Sequence, residues 1–247
     1  MSLERFGPRI ITEATVPESL EWDDFAKYLK NVNPEYIDNI QFTFEFAKGA
    51  HAPLPPRDTG EKNFSHPLMA TIYLAQAGCI HPSHIQACLL HDVPEDNLRY
   101  LEDAQNKIYT ERYGVNYEAY ESDAFEGSLG LYLIESQLDP DTAHIVSAVT
   151  KRNSVATTPQ GKLQEELDYI EGIGYAPPGA LVVKMADRLH NIRTPRPGDR
   201  ERMLRKHEET KKLYMPAFRE ALIYFPGEAD VLIKEMNRSM HQLERAA

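Results

Sequence analysis

Several prolines of this chain stand at the starts of helices. Asn33-Pro34 and Asp139-Pro140 read as a cap followed by a first-turn proline, Pro67 opens a helix after Ser65-His66, and Thr15-Val-Pro-Glu18 is a capping box with proline in its first turn. A first helical turn leaves its N–H groups unbonded, so a residue without one, with φ already set, costs nothing there. Apolar residues then recur at helical spacing: Trp22, Phe25, Leu29 and Val32; Ile37, Ile40, Phe44 and Ala47; Met69, Ile72 and Tyr73 with Gln76; Ile145, Val146 and Val149. No stretch alternates apolar with polar residues as a half-buried strand would. The spacing therefore predicts an all-α fold, a single multi-helix bundle of about ten helices spanning 1–247, with no composition break marking a second domain.

The expected order is a first helix over 15–32 and a second from Asn33-Pro34 to near Gly49, buried on both faces by its aromatics. A proline-rich loop follows from Ala52 to Asn63, then a helix from Pro67 closed by Gly78 and another ending at His91. Leu98, Leu101, Ile108 and Tyr109 suggest a further helix, and the acidic span 115–138 reads as an insertion or lid. Helices then follow through Ile145 to Val149, from Gly179 to Thr194, from Arg200 to Tyr224 and from Glu228 to Arg245.

A formal net charge of −11 argues against a nucleic-acid binder, which needs Lys and Arg to displace counterions from phosphates. No apolar run approaches the roughly 20 residues that cross a bilayer. The two cysteines, Cys79 and Cys88, lie in apolar contexts and read as reduced core residues of a cytoplasmic protein. Self-association is left open.

The chemistry concentrates in Ile85–Asn97, where the apolar run through Leu89 and Leu90 ends in His91, Asp92, Glu95 and Asp96 around Pro94. A lone His-Asp pair is more often a polar helix end, with His91 capping carbonyls and the acids solvated. Asp187 adds weight, because it lies in the middle of the apolar helix Val182 to Leu189. A buried carboxylate needs a cation or a metal, and a salt bridge to Arg188 or another buried cation is the commoner answer. Lys184, Asp187, Asn191 and Thr194 fall at i, i+3, i+7 and i+10, on one face, so a ligand at Asp187 would have an amide and a hydroxyl beside it. Together His66, His91, Asp92 and Asp187 form an imidazole and carboxylate set without thiolates, suited to Mn2+, Fe2+ or Mg2+ rather than structural zinc. Glu95 and Asp96 fit the shell beyond, where a carboxylate orients an attacking water and takes its proton.

These residues resemble a known family. The order His66, His91-Asp92, Asp187 is similar to that of the HD-domain metal-dependent phosphohydrolases. More narrowly, Arg57 to Pro67, His-Asp-x-x-Glu-Asp at 91–96, Val149-Thr150-Lys151 and Val-Lys-Met-Ala-Asp-Arg-Leu-His-Asn-Ile-Arg-Thr at 183–194 resemble the hydrolase domain of the RelA/SpoT alarmone enzymes and their small single-domain relatives. The resemblance spans about residues 40–220. It implies that His66, His91, Asp92 and Asp187 bind Mn2+, that Glu95 and Asp96 activate water, and that Arg57, Lys151, Arg188, Asn191 and Thr194 hold the nucleotide. The implied reaction, in the stringent response, is release of pyrophosphate from the 3′ position of guanosine 5′-di- or triphosphate 3′-diphosphate (ppGpp and its triphosphate form). Asp58 after the arginine, Lys62-Asn63 in place of Pro-Tyr, and Asn97 in place of Thr depart from the family pattern. They keep a second substrate in play, another phosphorylated nucleotide such as NADPH losing its 2′-phosphate. A third reading is a nucleotide-binding regulatory module without turnover. His81, His84 and His144 read as surface or core histidines, and His190 as either support for the site or packing. Arg193, Arg196 and Arg200 form either a solvated basic face or contacts to distal phosphates.

Overall fold

In a computed structural model of the protein, residues 21–58, 60–113, 134–135, 137–151, 154–194 and 200–245 are described, and their regular structure is entirely helical. The chain runs α1 (Trp22–Ala26), a 3-10 turn (Pro34–Tyr36), α2 (Ile37–His51), α3 (Ser65–Ala77), α4 (Pro82–Leu90), α5 (Val93–Asp96) and α6 (Leu98–Tyr113). It continues with α7 (Pro140–Val149), α8 (Pro159–Tyr175), α9 (Gly179–Arg193), α10 (Arg200–Glu209), α11 (Met215–Tyr224) and α12 (Pro226–Arg245).

The cap signals act as read. Asn33 Oδ1 accepts from Glu35 N–H at 3.3 Å, and Asp139 Oδ1 from Thr142 N–H at 2.8 Å. Gly78, at φ 108°, ends α3 in the left-handed conformation that favours glycine. The same signal marks a helix that periodicity did not announce: Thr158 Oγ1 accepts from Gly161 N–H at 3.1 Å, and Pro159 opens α8.

Three expectations need correction. The first helix covers only Trp22–Ala26, although Phe25, Leu29 and Val32 are all buried; its capping box at Thr15 lies outside the described residues. The second helix ends near Gly49 as expected, at His51, but its outer face is not buried, since Phe42 is 52% exposed. The helix expected from Arg200 to Tyr224 contains a π turn at Thr210–Tyr214, with Met215 N–H bonded to the Thr210 carbonyl. Pro216 explains it, because a proline inside a helix has no N–H to give and crowds the carbonyl four residues back; the wider turn accommodates both. The span 115–138 lies outside the described residues apart from its last few, of which Ile134 is buried.

α3 and α9 form the centre. Ser65 to Leu74 and Gly179 to His190 are buried, and the two helices pack on each other, on α4 and on α12. A helix enclosed all round this way keeps its polar residues only if each finds a partner. Both cysteines are free and buried in this core, and burial raises both thiols, Cys79 to about 12. No helix among the described residues is long and apolar enough to cross a membrane.

Candidate active site

His66 sits in the first turn of α3, His91 and Asp92 at the break between α4 and α5, and Asp187 in the middle of α9. Three separate pieces of backbone thus aim at one point. His66 Nε2 lies 3.0 Å from Asp187 Oδ1 and 3.3 Å from Asp92 Oδ2. His91 Nε2 lies 3.2 Å from Asp92 Oδ1, 3.7 Å from Asp187 Oδ1 and 3.3 Å from His66 Nε2. Two imidazole nitrogens and two carboxylates facing one another so closely are a strained set of neighbours and a good set of ligands. His66, His91 and Asp187 are all buried and offer atoms within 4.8 Å of one another, close enough to share one metal ion.

The break after α4 produces this geometry. The helix stops at His91 as expected, with α4 ending at Leu90, and Pro94 sits in the first turn of the separate short helix α5. His91 Nδ1 lies 2.7 Å from the Cys88 carbonyl, which can only accept, so the Nδ1 proton is fixed and Nε2 is left to the cluster. The carbonyl-capping reading of His91 accounts for Nδ1 and leaves Nε2 facing the cluster.

Electrostatics divide the cluster. Burial pulls the His91 imidazole down, but Asp92 and Asp187 outweigh it and raise it to about 9. Burial prevails at His66 and keeps it below the usual imidazole range. Burial pushes Asp187 up, yet Lys184 and the bonds from His66 and His91 hold it well below the usual carboxylate range. Lys184 Nζ is 2.9 Å from Asp187 Oδ2, and Asn191 Nδ2 donates to Asp187 Oδ1 at 2.5 Å. The buried-cation reading of Asp187 is thus correct in kind, with Lys184 as the cation.

Around this cluster lie the other residues singled out. Glu95 accepts the Lys151 backbone N–H, and burial with the nearby Asp92 charge raises Glu95 to about 7 against that bond. Asp96 Oδ2 stands 3.7 Å from His51 Nε2. Arg57 bears electrostatically on His66, Asp96 and His190, so its cation lies near the site. Lys151 Nζ pairs with Glu166, which also accepts from the Tyr214 hydroxyl. Thr194 Oγ1 lies 3.2 Å from His190 Nε2.

Arg188 is already engaged. Its Nε donates to Thr210 Oγ1 at 3.1 Å, another nitrogen pairs with Glu209, and the guanidinium lies 3.9 Å from the Tyr214 ring centroid. A phosphate would have to compete with Glu209 for it. Arg193 is no solvated face, since it pairs with buried Glu235 at 2.5 Å and donates to Ser239 at 3.0 Å. His190 resolves as support for the site, with its Nδ1 2.7 Å from His66 Nδ1. Lys184 and His51 were not picked out as site residues, although Lys184 shares the Asp187 face in sequence.

Fold and cluster together describe a helical protein whose imidazole and carboxylate set could hold a metal ion. A family model described as HD domain matches residues 43–220, and the chain belongs to that family of metal-dependent phosphohydrolases. It is 28% identical over 200 residues to a guanosine-3′,5′-bis(diphosphate) 3′-pyrophosphohydrolase of Aquifex aeolicus, covering 80% of this chain and 23% of that protein. It is 29% identical over 160 residues to a GTP pyrophosphokinase of Streptomyces antibioticus, covering 65% of this chain and 15% of that protein. A guanosine-3′,5′-bis(diphosphate) 3′-pyrophosphohydrolase of Spiroplasma citri is 27% identical over 161 residues, covering 64% and 17%. The chain spans less than a quarter of the length of these relatives.

Proposed function

We propose that the protein hydrolyses a nucleotide polyphosphate, removing the 3′-diphosphate of guanosine 3′,5′-bis(diphosphate) as a small molecule in the cytoplasm. The observation that carries this reading is the His66, His91 and Asp187 cluster with Glu95 and Asp96 in the short helix that follows Asp92. His66, His91, Asp92 and Asp187 would hold a divalent ion, Mn2+ first by donor set, with Fe2+ or Mg2+ as substitutes. A bound ion there would supply a more acidic water and a counter-charge for phosphoryl oxygens.

The chain's own groups do the rest. Asp96 takes a proton from the attacking water, and Glu95, poised near neutrality, exchanges protons on the same side. Arg57 and Lys151 hold phosphate oxygens, Asn191 and Thr194 hold the sugar edge beside Asp187, and Arg188 stiffens the wall through Tyr214. The relatives named above as 3′-pyrophosphohydrolases support the choice of substrate.

The test is pyrophosphate release from the alarmone by purified protein with Mn2+, set beside Asp187→Asn. Release by the wild type and its loss in the variant are expected. No release by either sinks the reading. Asp58 lies in the turn that carries Arg57, where Gly60 N–H bonds the Arg57 carbonyl at 2.7 Å, and an acid so near the phosphate-holding cation favours a less charged substrate as the second reading. Phosphate release from NADPH in the same assay would establish it, and tight binding without product would mark a regulatory module.

A further inference from the structure

A second imidazole stands behind Asp96. His51, in the last turn of α2, is 3% exposed, and its Nδ1 lies 2.8 Å from the Ala47 carbonyl. A carbonyl can only accept, so Nδ1 carries a proton. Nε2 is then buried without a hydrogen-bond partner and faces Asp96 Oδ2 at 3.7 Å. A neutral ring would turn a lone pair on a carboxylate, two acceptors with no donor between them. The arrangement becomes favourable only when the pair holds a proton.

The backbone keeps the two groups together. Asn97, next to Asp96, donates from Nδ2 to the Ala50 carbonyl at 2.8 Å, tying α5 to the last turn of α2. Tyr100 closes the same corner by lying against Gly49, where an added Cβ would meet its hydroxyl at 2.5 Å. The Phe64 ring packs beside His51, with centroids 6.1 Å apart. The other charged groups bearing on Asp96 are Asp92 before α5, Arg57 in the loop and His66 in α3.

We propose that His51 is a positioning residue acting through Asp96: it fixes the carboxylate toward the attacking water and receives, by way of that carboxylate, the proton the water loses. The water O–H bond breaks as oxygen bonds to phosphorus, and the proton passes to Asp96 and on to His51 Nε2, leaving an imidazolium beside a carboxylate. The phosphorus–oxygen electron pair departs with the leaving oxygen, which ends as a hydroxyl once the proton, or its equivalent from solvent, is returned. The inference rests on the hydrolase reading of the site, and its test separates the two.

The first arm needs no activity. The His51 ring is followed by NMR in protein carrying 13C-labelled histidine, in Mg2+ buffer, with the signal assigned by its absence in His51→Gln. Asp96→Asn leaves the buried ring in place and is expected to move the His51 ring resonances at fixed pH, because the carboxylate that faces Nε2 at 3.7 Å is gone. Unchanged resonances overturn the pairing. The second arm is kinetic: His51→Gln should lower kcat by about 10-fold or more at unchanged KM, and adding it to Asp96→Asn should cost nothing further. Multiplying effects, or a change in KM alone, would overturn the relay. Absence of turnover in the wild type would instead remove the hydrolase reading and leave the first arm standing.

Discussion

His66 and His190 meet Nδ1 to Nδ1 at 2.7 Å, so one ring must donate and the other accept. With a metal on His66 Nε2, the remaining proton of that ring has to sit on Nδ1, and His190 must accept it. His190 is suited to this: burial and the neighbouring His66 and Arg57 charges keep it neutral, and its Nε2 lies 3.2 Å from Thr194 Oγ1, which can take the other proton. The tautomer of the proposed ligand His66 is thus set by a residue outside the proposed ligand set.

His190→Ala is accordingly expected to weaken Mn2+ binding by about 10- to 100-fold, the usual effect of removing a ligand's hydrogen-bond partner. Calorimetric titration of the metal-free protein with Mn2+ measures it. Affinity equal to wild type would show that His66 needs no such partner.

Metal binding should also appear as stability. At a Mn2+ concentration of about 100 times Kd the folded state gains about 2.7 kcal/mol, which for a domain of this size raises Tm by about 5–10 °C. Asp187→Asn keeps the shape of the side chain but loses the charge that both ligation and Lys184 require, so its Tm should hardly respond to Mn2+. A response equal to wild type in a thermal melt would remove Asp187 from the ligand set.

Glu95 supplies a pH dependence whose sign follows from its raised value of about 7. An acid raised in the folded state holds its proton more tightly there than in the unfolded chain. Its contribution is present in full below the unfolded value, is lost as pH rises toward 7, and stays lost above it. Glu95→Gln removes that loss. In EDTA, the Tm difference between variant and wild type should therefore shift in the variant's favour between about pH 5 and about pH 8. A difference flat with pH would mean that Glu95 is not raised.

The pair Arg193–Glu235 joins α9 to α12, and its side chains are 6% and 2% exposed. Removing one partner of so enclosed a pair strands the other, at a cost of about 3–5 kcal/mol. Glu235→Ala should lose about that much in urea unfolding and leave the affinity for Mn2+ unchanged. A loss below about 1 kcal/mol would show that water reaches Arg193.

Gly179 begins α9 in close contact with α4 and α7. A Cβ there would meet His84 Nε2 at 2.4 Å and Ile145 Cδ1 at 2.8 Å. Gly179→Ala should cost about 1–3 kcal/mol through overpacking, despite the better helix propensity of alanine. Urea unfolding would reveal an unstrained replacement as equal or higher stability.

Most of the helices were legible because the signals that make them are short. Asn33-Pro34, Asp139-Pro140 and Gly78 act on groups within a few residues of themselves, and α8 went unread although Thr158-Pro159 is the same signal. The first helix was read too long because the apolar stripe of Phe25, Leu29 and Val32 reports burial, which turns as well as helices can satisfy. At the site, His91, Asp92 and Asp187 stood out because charge in an apolar helix needs a reason.

The sequence by itself determined most of the helices, which follow from spacing and caps along one segment, and the candidate ligand set, which follows from polar residues set in apolar helices and from their order along the chain. Only the tertiary structure decided which polar groups answer one another: His190 supports His66, Lys184 and Asn191 hold Asp187, and Arg188 and Arg193 turn to Glu209 and Glu235. The pairing of His51 with Asp96 belongs to that second kind. Periodicity says that a side chain faces inward, but its partner depends on how helices distant in sequence pack, and no spacing within either helix carries that information.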